Sequence, residues 1–204
     1  MWVNEIKKYQ ETGFIFISKD IPVVHLSDDN DDLIANLAGF KGLKIWKETW
    51  PQHNIFCYFG LESDVQVLSK VYNVSSTIRH YSSVLHEIYL HKDDVMHVDF
   101  ENNFMHIYIK KNQKFLYYNK LYFENEVDVH YQLSLIHKNI LEEAINPPMI
   151  FSGHIDQNSK IIHALKSYFS KIVFAHETSE FIWLPNSSSK AILFDFYATA
   201  SCAS

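Results

Sequence analysis

Asp99, in the stretch "VDFENNF", closes a strand-like run just ahead of a tight turn. A carboxylate in that place, followed by a glycine-bearing turn and a Thr or Ser, lets backbone amides cradle a phosphate. Here the turn is Asn102-Asn103, with neither the glycine nor the hydroxyl. A second phosphate-facing turn would follow the apolar run "MIFS", where nucleotide binders commonly carry paired glycines, but Gly153 is followed by His154. The chain holds five glycines, and Gly153 is the only one after Gly60. Asp99, Asn102, Asn103, Gly153 and His154 therefore read as a degenerate phosphate site, and ATP with Mg²⁺ is a disfavoured cofactor.

The register around the turn sharpens that reading. With a two-residue turn at Asn102-Asn103, Phe100 faces Met105, Val98 faces Ile107 and Met96 faces Ile109, so one face is wholly apolar. A three-residue turn would set Val98 against His106. The tight turn is favoured, and Asn-Asn suits the positive φ angles of a type I′ turn. It places Asp99 opposite His106 and His97 opposite Tyr108 on the other face. Such a face is an acid–base pair if it is open, and a hydrogen-bonded, covered surface if it is not; the second reading is preferred.

Other chemistries fit less well. Two-metal hydrolysis would draw on Asp99, Glu142 or Glu143, and Asp156, but the glutamates lie near the far end of their helix and Asp156 lies past its strand. His130 and His137 share a helix face two turns apart, roughly 10 Å at 1.5 Å per residue, too far to share one zinc between them alone. His86 and His91 point to different faces. HExxH and GxSxG are absent, and Ser187, Ser188 and Ser189 read as a loop capping the last helix. The run Asp28, Asp29, Asp31 and Asp32 reads as a solvated helix N-terminus without the EF-hand spacing. The expectation is no catalytic residue and no metal ligand.

The elements that position these groups are clearest from Asp93 onward. Two strands at 95–100 and 104–109 are followed by a third, "KFLYYNKLYF". Asn125 caps a helix to about Ile145, with Val129, Leu133, Ile136 and Ile140 inward, ended by Pro147 and Pro148. "MIFSG" is a buried strand and "DQNSKIIHALKSYF" a helix with Ile161, Ile162, Leu165 and Phe169 inward. "KIVFA" is a strand and "AILFDFYATASCA" a closing helix. The order β-β-β-α-β-α-β-α is that of a ribonuclease-H-like unit, also the repeated half of actin-like proteins.

The first ninety residues carry the end of the same pattern. "FIFIS" and "IPVVHL" are strands, "DDNDDLIANLAGF" is a capped helix, and "LKIWKETW" with "NIFCYFGLE" forms a hairpin around Pro51 and Gln52. A helix "ESDVQVLSKVY", a strand "STIRHYSS" and a helix "SVLHEIYL" follow. The opening meander is missing. The organisation is an incomplete first ribonuclease-H-like half over 1–92 and a complete second half over 93–204.

The segments "IFCYFGLESDVQVLSKVYNVSSTIRHYSSVLHEIYL" and "KFLYYNKLYFENEVDVHYQLSLIHKNILEEAINPPMIFSGHIDQNSKIIHALKSYFSKIVFA" resemble a bacterial family known as domain of unknown function 3822. The likeness runs from about Phe14 and rests on element order and on phrases such as "YYNKLYF" and "IFSGHID". It implies an actin-like α/β fold of tandem ribonuclease-H-like halves, related in shape to the cytoplasmic platform proteins of type IV pili. Family members are longer at the N-terminus, which fits the missing meander. The family brings no established activity with it, and fold alone does not supply one.

Composition narrows the partners. Of 204 residues, 47% are hydrophobic and 15% aromatic, enough for a packed core. The net charge is −6 and the 18 basic residues include a single arginine, Arg79, which disfavours nucleic acid. Cys57 and Cys202 match no ligand or disulfide spacing. No apolar stretch reaches membrane-span length and no signal peptide opens the chain, so the expected place is the cytoplasm. The leading reading is a non-catalytic actin-like protein acting through protein contacts, including self-association. Trp46, Trp50 and Trp183 are candidates for its surface. The alternatives are an ATP-dependent actin-like switch and a metal-dependent nuclease.

Overall fold

The computed structural model describes residues 15–18, 21–61, 77–141 and 147–175. The chain divides into two compact units, parting between Glu87 and Ile88. The helices expected over "ESDVQVLSKVY" and "AILFDFYATASCA" lie outside the described residues, as do Glu142, Glu143, Trp183, Ser187, Ser188, Ser189 and Cys202.

In the first unit, β1 (Ile15–Ser18) pairs in parallel with β5 (Thr77–His80). A separate antiparallel sheet has β4 (Ile55–Leu61) at its centre, between β2 (Val23–Leu26) and β3 (Lys44–Trp50). Among the described residues, no antiparallel meander joins the β1–β5 pair. The β3–β4 loop spans four residues, Pro51 to Asn54, and Asn54 closes it at φ 51°. Helix α1 (Asp31–Ala35) is shorter than expected; Asn30 caps it through a bond to the Leu33 amide. The acidic run beside it is only partly the solvated helix end read from sequence. Asp29 accepts from Lys47 Nζ at 2.8 Å and from the Tyr58 hydroxyl, so it ties the helix entry to β3 and β4. Ile34, Phe40 and Tyr58 pack beneath. Helix α2 (Tyr81–Ile88) follows β5 directly.

The second unit carries a five-stranded sheet in the order β10-β9-β6-β7-β8. Strands β6 (Val95–Glu101), β7 (Phe104–Lys111) and β8 (Lys114–Tyr122) form the antiparallel meander. Helix α3 (Glu126–Ile136) leads to β9 (Met149–Gly153), parallel to β6. Helix α4 (Lys160–Lys166), capped by Ser159, leads to β10 (Ile172–Phe174), parallel to β9. This is the ribonuclease-H-like arrangement, and the chain has the actin-like α/β fold built from such halves. The register of β6 and β7 is that of the two-residue turn: Phe100 faces Met105, Val98 faces Ile107, and Met96 faces Ile109. Positive φ falls on Asn102 (51°) in this turn, and on both Asn112 (50°) and Gln113 (61°) in the next. Asn and turn-placed polar residues accept that conformation at little cost.

One face of this sheet is the hydrophobic core. Val98, Phe100, Met105 and Ile107 pack against Val129 and Leu133 of α3 and Leu165 of α4. The α3 stripe departs from the sequence reading at its end. Val129, Leu133 and Ile136 are buried as expected, but a π-helical turn over His137–Leu141 adds a residue to the last turn. That shifts the phase by one position, so Leu141 takes the core place expected for Ile140, which stays half-buried. Lys111 Nζ donates to the Leu141 carbonyl at 3.0 Å, at the end of this turn. Truncation should read out this shift: Leu141→Ala is expected to cost about 3 kcal/mol in urea unfolding, and Ile140→Ala about half as much. Equal costs, or a larger one at Ile140, would mean that the helix keeps a regular phase.

Candidate functional site

The parallel β6–β9 register sets Asp99 beside Ser152. In a parallel pair, neighbouring residues point to the same side, and His97, two residues before Asp99, shares that side. The groups meet there in an unbroken chain. Ser152 Oγ donates to Asp99 Oδ1 at 2.6 Å, His97 Nε2 lies 2.8 Å from Ser152 Oγ, and the Tyr89 hydroxyl lies 2.6 Å from His97 Nδ1. Since Ser152 gives its one proton to Asp99, His97 must donate from Nε2, and in a neutral ring Nδ1 then accepts from Tyr89. Asp99, His97 and Ser152 have no exposed surface, and Tyr89 has almost none.

The rest of the face is equally enclosed. His106 stands opposite Asp99 and Tyr108 opposite His97, both fully buried. His106 Nδ1 lies 3.0 Å from the Tyr118 hydroxyl, and its Nε2 lies 3.4 Å from Glu101 Oε2. Burial pushes the Tyr108 hydroxyl well above the ordinary phenol range, so it stays protonated. Lys110, also without exposed surface, donates from Nζ to the Tyr89 carbonyl at 2.9 Å, and burial lowers its affinity for a proton. The pairing of Asp99 and His97 with His106 and Tyr108 thus forms a hydrogen-bonded interior face.

The second expected phosphate turn packs against the end of β6, while Asn102 and Asn103 of the first are exposed. Gly153 adopts φ 80°, where glycine is favoured. A Cβ on it would collide with the Phe100 carbonyl oxygen and lie 2.8 Å from Asp99 Oδ1. The close approach lets the His154 amide donate to the Phe100 carbonyl at 2.7 Å. An amide that would otherwise face a ligand is satisfied within the protein. The His154 side chain is exposed.

Asp99 and Asp156, the described carboxylates of the nuclease reading, lie in different environments. Asp156 is exposed in the turn before α4, where its Oδ1 accepts from the Asn158 amide at 2.6 Å. Asp99 is wholly enclosed. Among the described residues, no group of three His, Cys, Asp or Glu side chains is arranged to hold a metal.

The first unit has a polar cluster that the sequence did not announce. Ser82 Oγ lies 2.9 Å from His25 Nε2, 2.7 Å from His80 Nδ1 and 3.7 Å from Cys57 Sγ. A serine between two imidazoles resembles an activated nucleophile, but Ser82, His80 and Cys57 have no exposed surface. Burial pushes the Cys57 thiol up to about 12, which keeps it unreactive. Trp50, a surface candidate whose residue type more often packs in a core, belongs to this interior. Its Nε1 donates to Ser83 Oγ at 3.0 Å, and its ring stacks on His86 at 4.2 Å between centroids. Trp46 is half-buried under Lys44. Arg79 is held by Glu48 at 3.3 Å and by Glu87.

A protein-family profile described as protein of unknown function, DUF3822, matches residues 35–172. The chain belongs to this family. No curated protein matches it. Among solved structures, it is similar to a protein of actin-like ATPase fold and unknown function from Bacteroides thetaiotaomicron. That match has 15% identity, covers 82% of this chain and 69% of that one, and has a TM-score of 0.66. Two further likenesses are an AlfA filament bound to AMPPNP and the cytoplasmic domain of EpsL. The first has 10% identity, 98% and 66% coverage and a TM-score of 0.44. EpsL is an inner-membrane component of the type II secretion system of Vibrio cholerae, with 7% identity, 96% and 80% coverage and a TM-score of 0.41. No helix among the described residues is long and apolar enough to cross a membrane.

Within this family member, the register explains why Asp99 was found and Ser152 was not. Asp99 sits in a local hairpin, whereas Ser152 meets it only through a long crossover. Ser152→Ala removes a partner from both Asp99 and His97, and the expected loss is about 2–3 kcal/mol in urea unfolding. A change below about 0.5 kcal/mol would show that the chain of bonds contributes little. The His25 cluster predicts a pH dependence. Burial first, and the nearby His86 second, lower His25 from 6.5 to about 3. Its stabilising effect is complete above pH 6.5 and is lost as the pH falls toward 3. Between pH 7.5 and 5, the wild type should lose about 2 kcal/mol more than His25→Gln. Parallel stability curves for the two would show that His25 titrates normally.

Proposed function

We propose that this chain is a non-catalytic actin-like protein that works through protein contacts, its nucleotide site closed from within. The observation that carries this reading is the internal engagement of the Asp99 carboxylate and of the turn after β9. Asp99 is buried and accepts from Ser152, which His97 holds in turn, and the His154 amide is spent on the Phe100 carbonyl. Opening a phosphate cradle there would leave a buried carboxylate and several polar groups short of partners, which is expensive. An incomplete ribonuclease-H-like half over 1–92 and a complete one over 93–204 would each present surfaces to protein partners. A protein partner suits these surfaces better than a polyanion, because the sole arginine is already engaged by two glutamates. The cytoplasm is the compartment consistent with this role.

The second reading, an ATP-binding switch, draws on one observation. Gly153 retains a backbone conformation and a close approach that only glycine permits, as a phosphate loop would require. The two readings part in a thermal-shift titration of the full chain with ATP and Mg²⁺ to millimolar concentration, with Mg²⁺ alone as control. Ligand at a hundred times its dissociation constant adds about 2.7 kcal/mol, a rise of several degrees for a chain of this size. No nucleotide-dependent shift is expected. A shift that needs ATP would overturn the closed-site reading and assign the switch.

A further inference from the structure

Helix α3 is apolar on two sides. Val129, Leu133 and Ile136 face the core, as a surface helix requires. The opposite stripe should be polar, yet it carries Val127, Tyr131 and Leu135, which are 69%, 65% and 44% exposed. Their spacing at i, i+4 and i+8 makes a straight ridge along the helix. Tyr168, just past the end of α4, widens it: it is 66% exposed, and its ring packs 3.9 Å from that of His130. A contiguous apolar ridge of this kind marks an interaction surface.

We propose that this ridge is a two-fold interface between copies of the chain, with α3 packed antiparallel on its own symmetry mate and Tyr131 at the axis. The choice of a second copy follows from the symmetry of the sequence about Tyr131. Val127 and Leu135 lie four residues to either side of it, so each meets the other across the axis. Glu124, just before the Asn125 cap, and Lys138, in the π-helical turn, are both exposed, lie seven residues to either side of Tyr131 and carry opposite charges. An antiparallel copy sets Glu124 against Lys138 twice over, while a parallel one would set like charge on like. Isologous interfaces need this self-complementarity, and helix pairs of this kind form standard antiparallel contacts. The surface lies apart from the Asp99 network and does not depend on whether that site binds nucleotide.

The test is sedimentation velocity of the full chain from about 10 μM to 1 mM, at about 50 mM salt because exposed ion pairs are screened at higher ionic strength. A ridge one helix long is small for a stable interface, so a reversible dimer is expected with a dissociation constant of about 100 μM. Tyr131→Glu, at an exposed site, should keep the circular dichroism of the wild type and weaken the dimer about tenfold or more. Glu124→Lys and Lys138→Glu should each weaken it about threefold to tenfold, and the two together should restore it. Restoration by the double exchange is what a different occupant of the ridge would not give. A monomer at every concentration overturns the proposal, whether the ridge is then covered by the chain's own 176–204 segment or by another protein. A dimer untouched by Tyr131→Glu, or a double exchange that fails to restore it, overturns it equally.

Discussion

A carboxylate taken out of water has to be held by donors, and at Asp99 that demand organises the second unit. Ser152 supplies a donor only if β9 lies beside β6 in one register. A slip of one residue would turn Ser152 to the other face and put Phe151 or Gly153 in its place. The same register brings Gly153 against Phe100, where only a residue without a Cβ fits. It also delivers the His154 amide to the Phe100 carbonyl. The strand crossover, the glycine and the His154 bond therefore share one register with the buried bond between Ser152 and Asp99.

The sheet divides its work between its two faces. The face toward α3 and α4 is built from aliphatic and aromatic side chains, and its burial supplies the driving force for folding. The other holds His97, Asp99, His106, Tyr108 and Lys110, none with exposed surface. Polar groups at this depth add little net stability. They penalise any arrangement that leaves one of them unpaired, and so select a single register. The first unit uses the same device on a smaller scale, with Ser82 between His25 and His80 and Trp50 bound to Ser83. Several histidines that invite a metal or acid–base reading from sequence are thus interior hydrogen-bonding groups whose rings also fill volume.

What the sequence made legible was local. The β6–β7 hairpin could be read residue by residue because alternation is strict from Met96 to Ile109 and Asn102-Asn103 fixes the turn. The order of elements in the second unit followed from clean switches between periods of two and 3.6. Legibility failed where packing at a distance decided the outcome. Nothing in "MIFSG" says which residue will align with Asp99, since that depends on how a helical crossover returns the chain. The π-helical turn at His137–Leu141 leaves no mark in the apolar spacing, which fits Ile140 as well as Leu141. Trp50 ends its strand, and its partner inside, His86 of α2 stacked on its ring, comes from a distant element. The placement of β2 beside β4, across two intervening elements, was equally out of reach.

The inward and outward faces of α3 carry different kinds of information. Inward, Val129 and Leu133 are dictated by the core beneath them, and any folded protein of this plan needs residues like them. Outward, the fold makes no demand on Val127, Tyr131 or Leu135, and a polar residue at each would serve stability and solubility better. An enclosed network around Asp99 can be explained by folding alone, because unpaired buried groups are selected against in any stable protein. Apolar side chains kept in water cannot be explained that way. The residues that folding leaves unexplained are the ones most informative about use, and in the second unit the clearest of them lie on the outer ridge of α3.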